Sequence, residues 1–373
     1  MKFSLIYEAQ TVDASRAGDF KVFQDALEQC LLAEEMGFDV IWAVEHTALT
    51  NYAHMSAPET FLAFVAGRTS RIHVGHGVVC LPPAMNHPVK VAERIATLDI
   101  LSEGRLHFGV GKGGTQQEAG TFGYDLETLQ PQIDEAMYLI PKIMVQDEIE
   151  HHGKYIDIPL RPVHPKPYRD PHPPMYLACT RTDSLVWAGS RGMGGLVLGF
   201  GGPEEVAAKN AVYRSAWANR KAEEQVGYNP IEHLAALCPA IVLEDGQKAR
   251  AIGIRGQRYF MEAISHWYTG GPMPDHTKWA DDDLMVTQTT GESVIRSRWA
   301  SEELVVDFSD PQLALLNPNH AYGTVEDAIG YVSRLKEAGV DEVLFMCQMG
   351  TVPQDAQLET IRNIGHHVIP HFK

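Results

Sequence analysis

Gly37-Phe38-Asp39-Val40-Ile41-Trp42-Ala43-Val44-Glu45-His46 reads as a buried strand that stops at a charged pair. Aromatic and β-branched residues alternate along it and a glycine bounds it, which is a strand signal. Its tip opens into a loop, residues 47–55, rich in Thr, Asn, Tyr and His. In parallel α/β folds, ligands bind where strands finish at their carboxyl ends. His46 is therefore expected at the mouth of an active site.

Working outward, the same unit recurs. Residues 3–7 form a first strand, and 20–36 carry apolar side chains at helical spacing. Gly37 closes that helix as a left-handed cap. Further strands are expected at 72–81, 105–110, 175–179, 195–199, 234–243 and 342–347. Helices are expected at 60–66 (capped by Ser56), 89–101, 126–145, 184–190, 203–220, 247–264, 325–338 and 355–367 (with Asp355 near its start). Thr115-Gln116-Gln117-Glu118 starts no apolar periodicity. Residues 151–174, rich in His, Pro and Tyr, read as a long loop with a small hairpin near 152–155. Alternation of strand and helix describes either an open doubly wound sheet or a closed barrel. Eight units favour a (β/α)8 TIM barrel: one α/β domain over residues 1–373. The irregular stretch 265–319 reads as an insertion or lid over the C-terminal mouth. Neither an internal repeat nor a low-complexity segment interrupts the chain.

Composition narrows the partners. The 373 residues are 45% hydrophobic and 21% charged, with a formal charge of −17. Nucleic acid and anionic membranes call for basic patches, so neither is an expected partner. No apolar run is long enough to span a membrane. The five cysteines are scattered, without a CxxC, and read as buried free thiols in a reducing cytoplasm.

Three constellations carry chemistry. Gly109-Val110-Gly111-Lys112-Gly113-Gly114 matches a dinucleotide fingerprint, yet it follows the fourth strand rather than the first and opens no apolar helix. It reads as a glycine-rich strand end that brings backbone and the Lys112 cation to a phosphate, or as a plain turn with a solvated lysine. The segment Thr180-Arg181-Thr182-Asp183-Ser184 gathers hydroxyls and a guanidinium at a helix start; phosphate binding and ordinary N-capping explain it equally well. His46 suits general acid–base work near neutrality or a structural role. Metal is not expected: 17 histidines make chance clusters, and no ligand spacing appears.

Several stretches line up in order with one family. They include Gly37-Phe38-Asp39 with Trp42 and Glu45-His46; Ser56-Ala57-Pro58-Glu59; Arg71-Ile72 with Val74-Gly75; Leu98-Asp99 with Gly104-Arg105; Phe108 to Gly113; Phe122-Gly123; and Gly339-Val340-Asp341. With these motifs the sequence resembles the bacterial luciferase-like, flavin-dependent monooxygenases. The resemblance is densest over residues 1–125 and returns around 174–200 and from 323 onward.

The resemblance implies reduced FMN as cosubstrate, delivered by a separate flavin reductase. It implies O2 as second substrate and oxygenation of a small organic molecule through a C4a-(hydro)peroxyflavin. His46 takes the place of the family's catalytic histidine. Lys112 and Gly113 fall near the flavin phosphate, and Thr180 and Ser184 match the phosphate-loop hydroxyls, with Arg181 assisting. His76 and Gly77 fall where backbone passes the isoalloxazine edge, in some members through a non-prolyl cis bond. A homodimer is expected. Thr47 stands where luciferases proper carry a second histidine, and Gly111 where they carry a reactive cysteine, which sets this chain apart from the light emitters. Two alternatives stay open: an oxidoreductase using the deazaflavin F420 and transferring hydride without O2, and a non-catalytic flavin-binding subunit. Tyr52, His54, Phe200, Trp267 and Tyr268 are candidates for the pocket wall.

Overall fold

The computed structural model describes residues 1–279 and 317–373, together with the backbone of three short strands between them. Strand β1 (Lys2–Tyr7), helix α1 (Arg16–Glu35), β2 (Val40–Ala43), α2 (Pro58–Ala66), β3 (His73–Cys80), α3 (Pro88–Leu101) and β4 (Leu106–Gly111) follow one another as strand and crossover helix. Next come α4 (Gln116–Phe122), α5 (Leu129–Val145) and an antiparallel hairpin, β5 (Glu148–His152) with β6 (Asp157–Pro162). The alternation resumes with β7 (Met175–Cys179), α6 (Thr182–Ser190), β8 (Gly194–Val197), α7 (Pro203–Ala218), β9 (Leu234–Val242) and α8 (Gly246–Thr269). Strands β10 (Met285–Thr289), β11 (Glu292–Arg296) and β12 (Leu304–Val306) pair antiparallel. The chain ends with β13 (Ala321–Gly323), α9 (Val325–Glu337), β14 (Glu342–Met346), α10 (Gln354–Asn363) and α11 (Ile369–Phe372).

Eight parallel strands, β14-β1-β2-β3-β4-β7-β8-β9, run round in that order, and β9 pairs with both β8 and β14, which closes the ring. This is the expected (β/α)8 barrel. Closure buries its strands on both faces, which is why they read as near-continuous apolar runs. All nine residues of β9 are buried. The short β13 pairs with the last residues of β9, Ala240–Val242, beside the ring.

The barrel floor holds a charge. Glu342, at the start of β14, is fully buried and accepts hydrogen bonds from Ser4 Oγ (2.6 Å) and Trp42 Nε1 (2.7 Å). His233 Nε2 pairs with its other oxygen at 2.8 Å. Burial alone would raise the Glu342 carboxyl; His233, Ser4 and Trp42 together outweigh it and hold it below the usual range. Beside it, His107 bridges Tyr176 (2.9 Å) and His73 (3.1 Å).

Several expected boundaries shift, and three of the shifts change how the chain is read. Ser56 does not cap α2; Ala57 is the cap residue, no side chain bonds there, and Pro58 sets the first turn. Thr115-Gln116-Gln117-Glu118 does start a helix, α4, through a capping box in which Thr115 and Glu118 satisfy each other's backbone. Helix α8 runs past 264 to Thr269, where Gly270 at φ +75° supplies the left-handed stop. Of the expected insertion 265–319, residues 265–269 are thus helical, and 280–316 lie outside the described residues except for the backbone of β10–β12.

Candidate functional site

At the C-terminal mouth, three buried carboxylates lie near one imidazole, and two of them face it. His46 lies three residues past β2. Its Nδ1 stands 3.1 Å from Glu118 Oε1 of α4, and its Nε2 stands 3.9 Å from Glu8 Oε2, one residue past β1. Glu118 also takes the Thr47 amide (3.2 Å), the Thr115 amide (3.2 Å) and the Thr115 hydroxyl (2.8 Å). Burial pushes its carboxyl up, but these donors and His46 more than offset it, so Glu118 stays ionised. An ionised carboxylate only accepts, so His46 Nδ1 carries the hydrogen and Nε2 faces Glu8. Burial lowers the His46 pKa; Glu118, Glu8 and Glu45 together raise it by more, leaving it above its ordinary value.

Glu8 is the opposite case. It is 6% exposed, and its Oε2 is buried without a hydrogen-bond partner among the described residues. Burial, with the Glu118 charge adding to it and His46 opposing, raises its pKa to about 7. Glu45, which the sequence pairs with His46, points elsewhere. It accepts the Cys80 amide (2.7 Å) and the Asn86 side-chain amide (3.1 and 3.0 Å), fastening the end of β2 to the turn after β3.

An aromatic wall stands next to His46. The Tyr52 ring lies 5.2 Å from the imidazole and 5.6 Å from Phe260 of α8, which stacks on Phe200 at 5.7 Å. Trp267 donates its indole N–H to Thr50 O (3.0 Å), and Tyr268 sits 6.5 Å from Tyr52. The last turns of α8 thereby lean over the loop that follows β2. His54 turns away, bonding Asp19 of α1 at 2.6 Å. On that flank a groove of about 950 Å³ runs between α1 and α2, lined by Phe23, Leu27, Phe61 and Phe64, with His46 and His54 also on its wall.

The other expected residues sit across the mouth. Neighbouring strands β4 and β7 pair as far as Val110↔Leu177, and Lys112 and Thr180 are the first residues past their ends. Lys112 is half-buried; Thr180 and Arg181 are exposed. Gly113 takes φ +68°, a conformation that favours glycine. Ser184 is occupied in closing the turn: its hydroxyl donates to Arg181 O (2.7 Å) and accepts the Arg181 amide (3.2 Å). Between the two flanks, β3 carries His76, 1% exposed, whose Nδ1 is buried without a partner among the described residues. Burial lowers the His76 pKa to about 4. The next peptide, Gly77-Val78, is cis, and the β3–β4 register shifts there. A Cβ on Gly109 would fall 2.1 Å from the His76 carbonyl, so only glycine lets β4 pass.

Sequence reasoning missed Glu8 and Glu118. Thr115-x-x-Glu118 is a legible capping-box signal; Glu8, one polar residue past an apolar strand, left none. Among the described residues no three His, Cys, Asp or Glu side chains gather as a metal site, no helix is long and apolar enough to cross a membrane, and all five cysteines are buried and free.

A family model described as luciferase-like monooxygenase matches residues 1–342. The oxygenase component of a flavin-dependent trigonelline monooxygenase from Acinetobacter baylyi is 28% identical over 389 residues, covering 100% of this chain and 96% of that protein. For other curated relatives the match spans about half their length, 47%, 49% and 44% in three of them. The monooxygenase RslO1 from Streptomyces bottropensis superposes with a TM-score of 0.78 at 22% identity, covering 100% of both chains. A coenzyme F420-dependent tetrahydromethanopterin reductase from Methanopyrus kandleri gives 0.67 at 20% identity, covering 100% of this chain and 99% of that one. At such identities the likeness speaks for the fold alone.

Proposed function

The chain belongs to the luciferase-like monooxygenase family, and from that premise we propose that it is the oxygenating component of a two-component flavin monooxygenase. It takes reduced FMN from a separate reductase and uses O2 to oxygenate a small organic substrate. One observation carries this reading: His46, gripped at Nδ1 by an ionised Glu118, stands at the strand ends with Nε2 free for proton work.

The mouth fits a flavin. Lys112, Thr180, Arg181 and the amides at the start of α6 supply the cations and donors a terminal phosphate needs. Ser184 shapes that turn rather than offering its hydroxyl freely. Along β3 the unpartnered His76 Nδ1 and the backbone around Gly77 offer polar contacts to a planar ring edge. Reduced FMN supplies the electrons that activate O2. Among the protein's own groups, His46 Nε2 holds or moves a proton, Glu118 fixes its tautomer, and Tyr52 with Phe260 presents an apolar face that keeps water off.

Tyr52 and Phe260 beside His46, with Phe23, Leu27 and Phe61 along the α1–α2 groove, support a small, largely apolar substrate. Of stretch 265–319, the helical residues 265–269 form part of the mouth's cover, where α8 brings Trp267 and Tyr268. Five buried free thiols suit a reducing cytoplasm, and exposed Ile100 and Leu101 on α3 suit a homodimer face.

Anaerobic equilibrium dialysis against reduced FMN and reduced F420 tests the cofactor. Preferential retention of reduced FMN is expected. Preferential retention of F420 would move the protein to hydride transfer without O2, and retention of neither would leave a barrel without flavin chemistry.

A further inference from the structure

Counting donors shows where a buried proton must reside. Glu118 receives four hydrogen bonds: from His46, the Thr47 amide, and the amide and hydroxyl of Thr115. Glu45 receives the Cys80 amide and the Asn86 side chain. Glu8 Oε2, equally buried, receives none from the described residues. Three buried carboxylates near one imidazole do not all stay ionised. The one without donors keeps the proton.

We propose that Glu8 is the proton partner of His46: it stores at Oε2 the proton that His46 Nε2 exchanges, while Glu118 holds Nδ1. The proposal rests on the acid–base reading of His46 above. In the transfer, the O–H bond of the Glu8 acid breaks and an N–H bond forms at His46 Nε2. The bonding pair stays on Glu8, so a neutral acid and a neutral imidazole become a carboxylate and an imidazolium. No oxidation state changes and no co-reactant is needed.

The backbone holds both groups in place. Val44 N donates to Tyr7 O (3.2 Å) and Met55 N to Glu8 O (3.3 Å), tying the loop after β2 to the end of β1. The separation of 3.9 Å is longer than a hydrogen bond, so the transfer requires the two side chains to approach each other. The groups facing the pair are few. Just past β2 comes Glu45, whose carboxylate is held by Cys80 and Asn86; from the following loop Tyr52, from α4 Glu118 and from α8 Tyr268; the Cys80 thiol of β3 lies beside Glu45 and Glu118. Burial keeps Tyr52, Tyr268 and Cys80 protonated. Burial pushes Glu45 up as well, but its carboxylate is held by Cys80 and Asn86, so among the described residues Glu8 is the neighbour placed to exchange a proton with Nε2, in line with its raised pKa of about 7. Glu8 acts through His46 and is a positioning residue in this scheme.

The test uses the cofactor-free full chain with isotope-labelled histidine, following the His46 ring resonances against pH. The wild type should titrate in two inflections, one belonging to Glu8. Glu8→Gln should leave one, and Glu8→Asp should restore two with a displaced midpoint. A Glu8→Gln curve superimposable on the wild type overturns the proposal. Should Glu8→Gln not fold, the labelled Glu8 carboxyl is read directly in the wild type. A midpoint near neutrality supports the proposal, and one near the ordinary glutamate value of about 4.3 overturns it. A two-step titration in a protein that retains no reduced FMN would sink the monooxygenase reading and leave the proton pair standing. Flavin retention with an unchanged Glu8→Gln curve would do the reverse.

Discussion

Glu118 Oε1 accepts from His46 Nδ1 at 3.1 Å and from the Thr47 amide at 3.2 Å, so one carboxylate oxygen fixes both the ring and the loop that carries it. The carboxylate favours the imidazolium, which is part of why the His46 pKa stands above its ordinary value against the opposing effect of burial. In Glu118→Gln that support is lost while burial remains. The His46 pKa should fall, and the acid limb of the pH–rate profile should move to lower pH. A limb that stays in place in Glu118→Gln would remove Glu118 from the site.

His46→Ala deletes the acid–base group and leaves the phosphate side of the mouth intact. Single-turnover product formation should drop by about 10²–10⁴-fold, the usual weight of a positioned acid or base. Affinity for reduced FMN should change little. Equal losses in binding and turnover would point to a structural histidine.

Much of this arrangement was legible in the residues. Val40 to Ala43 declared itself by alternation, Gly37 by its place, and His46 by following a buried strand. The less legible parts are non-local. Ser4, Trp42 and Glu342 meet across the barrel floor from opposite ends of the chain, and no periodicity links them. Helix α4 escaped because its seven residues are set by a capping box rather than an apolar stripe. Glu8 escaped because burial of a charged side chain beyond a strand end is decided by what folds over it, here the 47–55 loop and α8.

The proposed phosphate role of Lys112 and Arg181 has a discriminating test. Lys112→Ala and Arg181→Ala should each weaken FMN binding by the worth of a charged hydrogen bond, about 1.5–3 kcal/mol or roughly 10–150-fold. Riboflavin, without the phosphate, should bind wild type and variants alike. Parallel losses for both flavins would place these cations elsewhere.

Glu342 is a structural charge, and its sign fixes the pH at which it matters. Its folded pKa lies below the unfolded value, so its stabilisation is present above the unfolded pKa of about 4.3 and fades as pH falls through the folded value. Glu342→Ala strands His233 and the Trp42 indole and should cost about 3–5 kcal/mol in urea unfolding at pH 7. The difference from wild type should shrink toward acid pH. A pH-independent difference would assign the loss to packing alone.

The central claim is that this mouth hosts reduced FMN and controls its reaction with O2. The direct measurement is stopped-flow mixing of the anaerobic protein–reduced FMN complex with O2, following flavin absorbance and hydrogen peroxide. The account predicts reoxidation kinetics distinct from those of free flavin, with peroxide release delayed and His46→Ala altering the later phase. Reoxidation identical to free reduced FMN, with immediate peroxide release, would contradict it.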